Sequence, residues 1–302
     1  MKLQVAGCRL QVPQVNLLAC FPSTFGFQPS TFNRRRAFTL VEMLAVLAIM
    51  AIIAALAVPA LKNFGRSDAM TAADQQMLGD VARARQLAMS QRTTVYMVFV
   101  PTNFWQGMSL PQRDLPATTN LCADQLTGYT FVAHGAVGDQ PGNHRWHYLA
   151  PWQTLPEGTF IAQWKFYQAN PPFTFADPID SSKTFSISPF NTTRSIPFPT
   201  ESSASNPFLV NPLPYIAFNY LGQLTTNGVD MAAAHEYIPL ARGSVSPAIN
   251  PVTRTFVLSQ APPPVDAPQV AEIPPGNSTN AYNIIDIDPL TGRAALEEPK
   301  IQ

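Results

Sequence analysis

Apolar residues crowd into one stretch near the amino end of the chain. Phe38–Leu61 reads FTLVEMLAVLAIMAIIAALAVPAL, with Glu42 as its single formal charge. At ~1.5 Å per residue such a helix is about 36 Å long, enough to cross a hydrocarbon core of ~30 Å. The run is apolar on every face and longer than most soluble helices, which argues against a buried core helix. Arg34, Arg35 and Arg36 supply the basic flank of a cleaved secretory signal, but the apolar run is too long for one and Glu42 is out of place in it. The pattern predicts a transmembrane helix over residues 38–61.

Beyond it the period changes. Met70, Ala73, Met77, Val81, Ala84 and Ala88 recur at steps of three and four, leaving Asp74, Gln75, Asp80, Arg83 and Arg85 largely on other faces. This predicts an amphipathic continuation of the helix over 62–92 with a stripe facing a core, and a kink at Pro59. From Thr93 the helix formers give way to β-branched and aromatic residues, and TTVYMVFV at 93–100 predicts a strand. Further strands are predicted at 129–133, 145–149, 159–166, 215–220, 236–240, 253–259 and 282–287. They are short and separated by Pro, Gly or Asn, which favours antiparallel pairing. The fold class expected is α+β: a long N-terminal transmembrane and amphipathic α-helix packed on an antiparallel β-sheet. Segments 169–214 and 260–280, dense in proline, are expected as exposed loops that pair poorly in a sheet.

Composition narrows the function. The 302 residues carry 19 Lys+Arg against 19 Asp+Glu, for a formal net charge of zero. A nucleic-acid partner for the whole chain is excluded by the lack of a basic surplus. Charged residues are only 13 % of the chain, so polar surface must come from Asn, Gln, Ser and Thr. Cys8, Cys20 and Cys122 have no metal-ligand spacing.

Glu42 is the informative residue. An ionised carboxylate inside a bilayer costs about 2.5–3.5 kcal/mol, so a cation from another chain or from a new amino terminus is expected to meet it. The segment Arg34-Arg35-Arg36-Ala37-Phe38-Thr39-Leu40-Val41-Glu42-Met43-Leu44 resembles the cleavage and methylation segment of type IV prepilins and type II secretion pseudopilins. The resemblance implies a cytosolic leader, residues 1–37, cut off by a prepilin peptidase between Ala37 and Phe38, with N-methylation of Phe38. The basic flank is Arg34, Arg35 and Arg36. Glu42 matches the Glu at the fifth position of the mature chain, and Pro59 matches the Pro near the end of the apolar run. Ala37 stands where Gly usually precedes the cut. The piece LGDVARARQLAMSQRTTVYMVFV resembles the helix end and first strand of H-type minor pseudopilins and related minor pilins. YIAFNYLGQL from Tyr215 and YNIIDIDPLTGRAAL from Tyr282 are similar to their later strands.

The expected organisation follows: leader 1–37, membrane helix 38–61, amphipathic helix 62–92, and a periplasmic β-rich domain over 93–302. The implied partners are the prepilin peptidase, other pilins or pseudopilins, an inner-membrane assembly platform and membrane lipid. Orientation rests on the motif, since Lys62 and Arg66 after the span nearly balance the arginines before it. The alternative is a monomeric, membrane-anchored periplasmic binding or hydrolytic domain.

Other candidate chemistry is sparse. His144 and His147 have an i, i+3 spacing near His134, but a strand or loop there points them to opposite faces, against a metal pair. Asp286 and Asp288 alternate on a predicted strand and would share one face. Related major pseudopilins hold calcium at such a loop, which makes these two the weak calcium candidates; turn capping is the simpler role. Glu157 and Glu236 show no acid–base partner, and no catalytic motif is present. No enzymatic activity and no cofactor are expected.

Overall fold

The computed structural model describes residues 39–105, 108, 110–140, 142, 145–167, 173–176, 184–199, 210–258, 268–280 and 282–297; the side chains of 56–68, 110, 112, 175–176, 184–185 and 210–212 are outside that description. The chain divides into two compact units, Met1–Ala55 and Leu56–Gln302. Helix α1, Leu40–Gln91, begins in the first and ends in the second. Pro59 lies within it.

In the second unit the Met-and-Ala stripe is the face that packs. Met70 is 3 % exposed, and Ala73, Met77, Val81, Ala84 and Ala88 are fully buried. The flanks of the stripe are not all solvated, as the period alone implied. Asp74 is buried and accepts a hydrogen bond from Asn283 Nδ2 at 2.7 Å. Asp80 Oδ2 accepts one from the buried Tyr129 hydroxyl at 2.6 Å, and Gln76 Nε2 donates to the same hydroxyl at 2.7 Å. Burial first, and the Asp80 carboxylate second, push the Tyr129 phenol well above its ordinary range. Polar residues beside an apolar stripe can face the core when a partner waits there.

The strands are, in chain order, β1 (Val95–Phe99), β2 (Gly128–His134), β3 (Trp146–Tyr148), β4 (Gln153–Thr154), β5 (Thr159–Ile161), β6 (Phe173–Ala176), β7 (Thr184–Ile187) and β8 (Ser195–Pro197). They continue with β9 (Val210–Pro212), β10 (Tyr215–Phe218), β11 (Leu224–Thr225), β12 (Glu236–Ser246), β13 (Gln269–Glu272), β14 (Asn283–Ile287) and β15 (Ala294–Glu297). One sheet has the order β11-β10-β1-β2-β3, with β4 also on β2; the other has the order β13-β12-β14-β15, with β5 also on β12. Every pairing among the described residues is antiparallel.

Both sheets turn one face to the helix stripe. Val95, Met97 and Phe99 of β1, Tyr129, Phe131 and Ala133 of β2, Ile238 and Leu240 of β12, and Ile285 and Ile287 of β14 join the stripe in one cluster. The opposite face of β1, Tyr96 and Val98, packs under Trp105, Leu121, Cys122 and Phe198. Trp164, Tyr282 and Ile284 do the same behind β12 and β14. Burial on both faces explains why residues 93–100 read as a continuous apolar run.

Several expectations need correction. The segment 159–166 is a strand only to Ile161, followed by a 3-10 turn over Gln163–Phe166. The segment 253–259 contributes an isolated bridge, Ile249 to Phe256. The proline-dense segments do pair: β6 with β7, β8 with β9, and β13 with the end of β12. A two-stranded ribbon asks each strand for hydrogen bonds on one side only, and this leaves room for Pro197 and Pro212. Within these segments, residues 169–172, 177–183, 200–209 and 260–267 lie outside the described residues.

Three sequence pieces meet at one point. Gly222 closes the turn before β11 at φ +79°, and Gly292 closes the turn before β15 at φ +61°. A Cβ on Gly292 would stand 2.1 Å from the Gly222 carbonyl oxygen and 3.2 Å from Arg85 Cδ. Arg85 Nε donates to that same carbonyl at 3.3 Å. The two turns therefore interlock over the helix. Gly292→Ala is expected to destabilise the domain by at least ~2 kcal/mol, from the left-handed backbone and the backbone clash. Gly79→Ala, on an exposed helical position with nothing within 4 Å of the added Cβ, is expected to stabilise it by ~0.5–1 kcal/mol. Thermal melts of the full chain in detergent should move in opposite directions for the two variants.

Candidate assembly site

The helix start is built by a reciprocal cap. In Thr39-Leu40-Val41-Glu42, the Glu42 N–H donates to Thr39 Oγ1 at 3.2 Å, while Glu42 Oε2 accepts from the Thr39 N–H and hydroxyl, each at 3.2 Å. This is a capping box, Thr at the N-cap and Glu three residues on. The T-x-x-E signature is readable in the sequence, yet the role of Thr39 emerges only from the geometry. The cap places a carboxylate in the first turn, where the helix dipole favours negative charge. Oε1 meets no donor among the described residues, so the carboxylate keeps capacity for another hydrogen bond.

Around this acid the helix surface is apolar in all directions. Leu40, Val41, Ile49 and Met50, spaced around the axis at ~100° per residue, are 81 %, 74 %, 57 % and 62 % exposed. A stripe would mark a single packing face. Exposure on all sides marks a segment whose surroundings are lipid or other apolar helices. Among the described residues no helix is long and apolar enough to cross a membrane; side chains of the apolar run are described only as far as Ala55. Arg34, Arg35, Arg36, Ala37 and Phe38 lie outside the described residues, as does the Pro59 side chain.

The other candidate residues are in the second unit. Asp286 Oδ1 lies 2.8 Å from His235 Nδ1, and Asp288 Oδ1 accepts from the Thr291 N–H at 2.6 Å and its hydroxyl at 2.9 Å. The two acids thus serve different partners: one holds a histidine and the other caps a turn. The Thr291 bonds hold the Asp288 carboxyl below the ordinary carboxylate range. His147 Nε2 lies 3.1 Å from Asp139 Oδ2 and ties strand β3 to the loop before it; the His134 ring packs against Trp146 in a tilted arrangement with centroids 4.6 Å apart. His144 is outside the described residues. Among the described residues no group of three metal-ligating side chains converges.

Glu236 has an ion-pair partner that its sequence surroundings do not reveal. Its carboxylate forms an ion pair with Lys165, which is 1 % exposed and also donates to the Ser188 carbonyl at 2.6 Å. Lys165 sits in the 3-10 turn that follows β5, far from Glu236 in sequence, and only the sheet brings them together. Cys122 is buried under β1, and burial, with Asp124 nearby, pushes its thiol up to about 12.

With this geometry in place, the comparison with protein families gives one match: residues 32–58 fit the family described as the prokaryotic N-terminal methylation motif. The chain carries the prepilin-type motif of type IV pilins and pseudopilins, and the match spans Arg34, Arg35, Arg36, Ala37, Phe38 and Glu42. That motif supports a type IV pilin-like or pseudopilin protein, anchored in a membrane and built into a surface or periplasmic filament. No curated protein and no solved structure matches the chain.

Two outcomes follow from the titrating groups. A carboxyl held low in the folded state adds stability above its unfolded value of ~3.9 and loses it as pH falls through the lower folded value. NMR titration of Asp288 should give a midpoint below ~3.9, and Thr291→Val should raise it. Cys122 in the folded chain should resist alkylation by iodoacetamide at neutral pH and react on denaturation, as read by peptide mass spectrometry.

Proposed function

We propose that the chain is a minor pilin or pseudopilin subunit of a type IV pilus-like or type II secretion filament. The observation that carries this reading is the methylation motif over residues 32–58 joined to a helix whose first turn holds Glu42 amid exposed apolar side chains. In this reading prepilin peptidase cuts between Ala37 and Phe38 and methylates the new amine. The released ammonium of one copy then meets the Glu42 carboxylate of another.

The chemistry favours that pairing. The Thr39 bonds satisfy one carboxylate oxygen and leave the other able to accept. In a low-dielectric setting an ammonium is the partner that best offsets a buried carboxylate. Lipid holds the apolar helix before assembly, and the helices of neighbouring subunits hold it afterwards. Residues 93–302 form the periplasmic domain, other pilins and an inner-membrane platform are the partners, and the inner membrane is the starting location. The role is structural: the subunit is a substrate of its peptidase and does not itself catalyse a reaction. The Ala-Arg-rich helix end that runs into β1 supports placement beside H-type minor pseudopilins.

Mass spectrometry of the purified protein should find an N-terminus at methylated Phe38. An intact leader, or a cut near Ala60, would favour a monomeric anchored binding or hydrolytic domain instead. Glu42→Ala should insert into the membrane as the parent does and be missing from sheared filaments; normal incorporation would sink the assignment.

A further inference from the structure

The ends of the two sheets leave a cleft between them. β10 and β11 form one wall and the entry to β12 the other, and residues 188–193 cross at the rim, enclosing about 410 Å³. That is within the ~300–1,000 Å³ typical of small-ligand sites. Its floor is apolar, made by Ile216, Leu224 and Ala232, which belong to the main core.

The polar wall is unevenly satisfied. The Tyr215 hydroxyl donates to the Thr226 carbonyl at 3.0 Å and lies 3.1 Å from the Thr193 hydroxyl; Asn191 Nδ2 donates to Thr226 at 2.7 Å while its Oδ1 accepts from the Thr193 N–H at 3.0 Å. Those groups are occupied with one another. Glu236 is different. Its Oε1 takes the Lys165 ammonium, and its side chain is 20 % exposed against 1 % for Lys165. Lys165 is packed over the Phe190 ring, 4.7 Å from its centroid, and is not part of the cleft wall. A molecule in the cleft therefore meets the carboxylate first, and among the described residues Oε2 has no donor. His235, also on the wall, is turned by Nδ1 to Asp286.

The cleft thus offers an oriented, open acceptor above an apolar floor. A purely apolar guest leaves the open acceptor unpaired at a desolvation penalty. We propose that this cleft binds a primary ammonium on a short aliphatic stem, either a small free amine or the side chain of a lysine. The stem covers Ile216 and Leu224, and the ammonium donates to Glu236 Oε2 in a charge-assisted bond, with Lys165 holding the carboxylate in place from behind. The buried lysine is then a positioning residue. Nothing in this site depends on the membrane segment or on filament assembly.

The test is a titration of the methyl-labelled full chain in detergent with n-butylamine, with 1-butanol as the uncharged isostere. The Ile216 and Leu224 methyl resonances should move saturably with the amine, and the alcohol should bind roughly tenfold weaker or worse, the worth of one charge-assisted hydrogen bond. The double variant Lys165→Met with Glu236→Gln replaces the ion pair by neutral groups of similar size, a change that folded cores tolerate. It should keep the remaining spectrum and lose the amine response. Absence of saturable shifts, equal binding of amine and alcohol, or a double variant that still binds the amine would each overturn the proposal. The parent titration with the two isosteres decides the matter even if the variant misfolds. An Nα-acetyl-lysine methylamide arm separates the sources: tighter binding than butylamine assigns a polypeptide lysine, and equal or weaker binding assigns a free amine.

Discussion

The second unit depends on one packing contact, the stripe from Met70 to Ala88 set against two sheets at once. Alanines at 73, 84 and 88 keep the helix surface shallow, while Met77 and Val81 fill the depth between. Small and flexible side chains let backbone elements from different sheets approach one helix closely. Without that stripe β1 and β12 would each lose the cover of an inner face, and among the described residues no other α-helix lies in that cluster. The outer faces are closed by local chain, the Trp105–Cys122 region on one side and Trp164 with Tyr282 on the other.

The first unit obeys a different constraint. Its helix has no polar face, and its single acid is capped by Thr39 and flanked by exposed apolar side chains. Folding the segment satisfies its backbone but does not supply its surroundings. Under the proposed function those come from lipid or from other helices, and the chemistry of Glu42 then belongs to association more than to the fold of one chain. The ammonium cleft lies in the unit whose core is complete, and its selectivity is set by which wall groups the fold has already used.

The stripe and the first strand were legible because helical and strand periods are written in neighbouring residues. Met70, Ala73, Met77, Val81, Ala84 and Ala88 all face the core as their spacing predicts. Glu42 and the methylation motif were equally legible, since a charge in an apolar run stands out. Legibility failed where a partner comes from far along the chain. The burial of Asp74, off the stripe, depends on Asn283 from across the fold, and the ion pair of Glu236 depends on Lys165, brought to it by β5 and β12. The proline-dense segments pair because proline removes one backbone donor, which a two-stranded ribbon can spare on its open side. The interlock of Gly222 with Gly292 could be suspected from two turns but not paired from sequence alone.

The join between α1 and β1 has a mechanical side. Arg92 takes a left-handed conformation at φ 51°, the Thr93 N–H closes back on the Ala88 carbonyl at 3.2 Å, and the chain enters β1 almost at once. β1 is the middle strand of its sheet, laddered to β2 on one edge and to β10 on the other. A load that enters β1 is therefore shared by two ladders, β1 with β2 and β1 with β10. A tether at an edge strand such as β11 would engage one ladder alone.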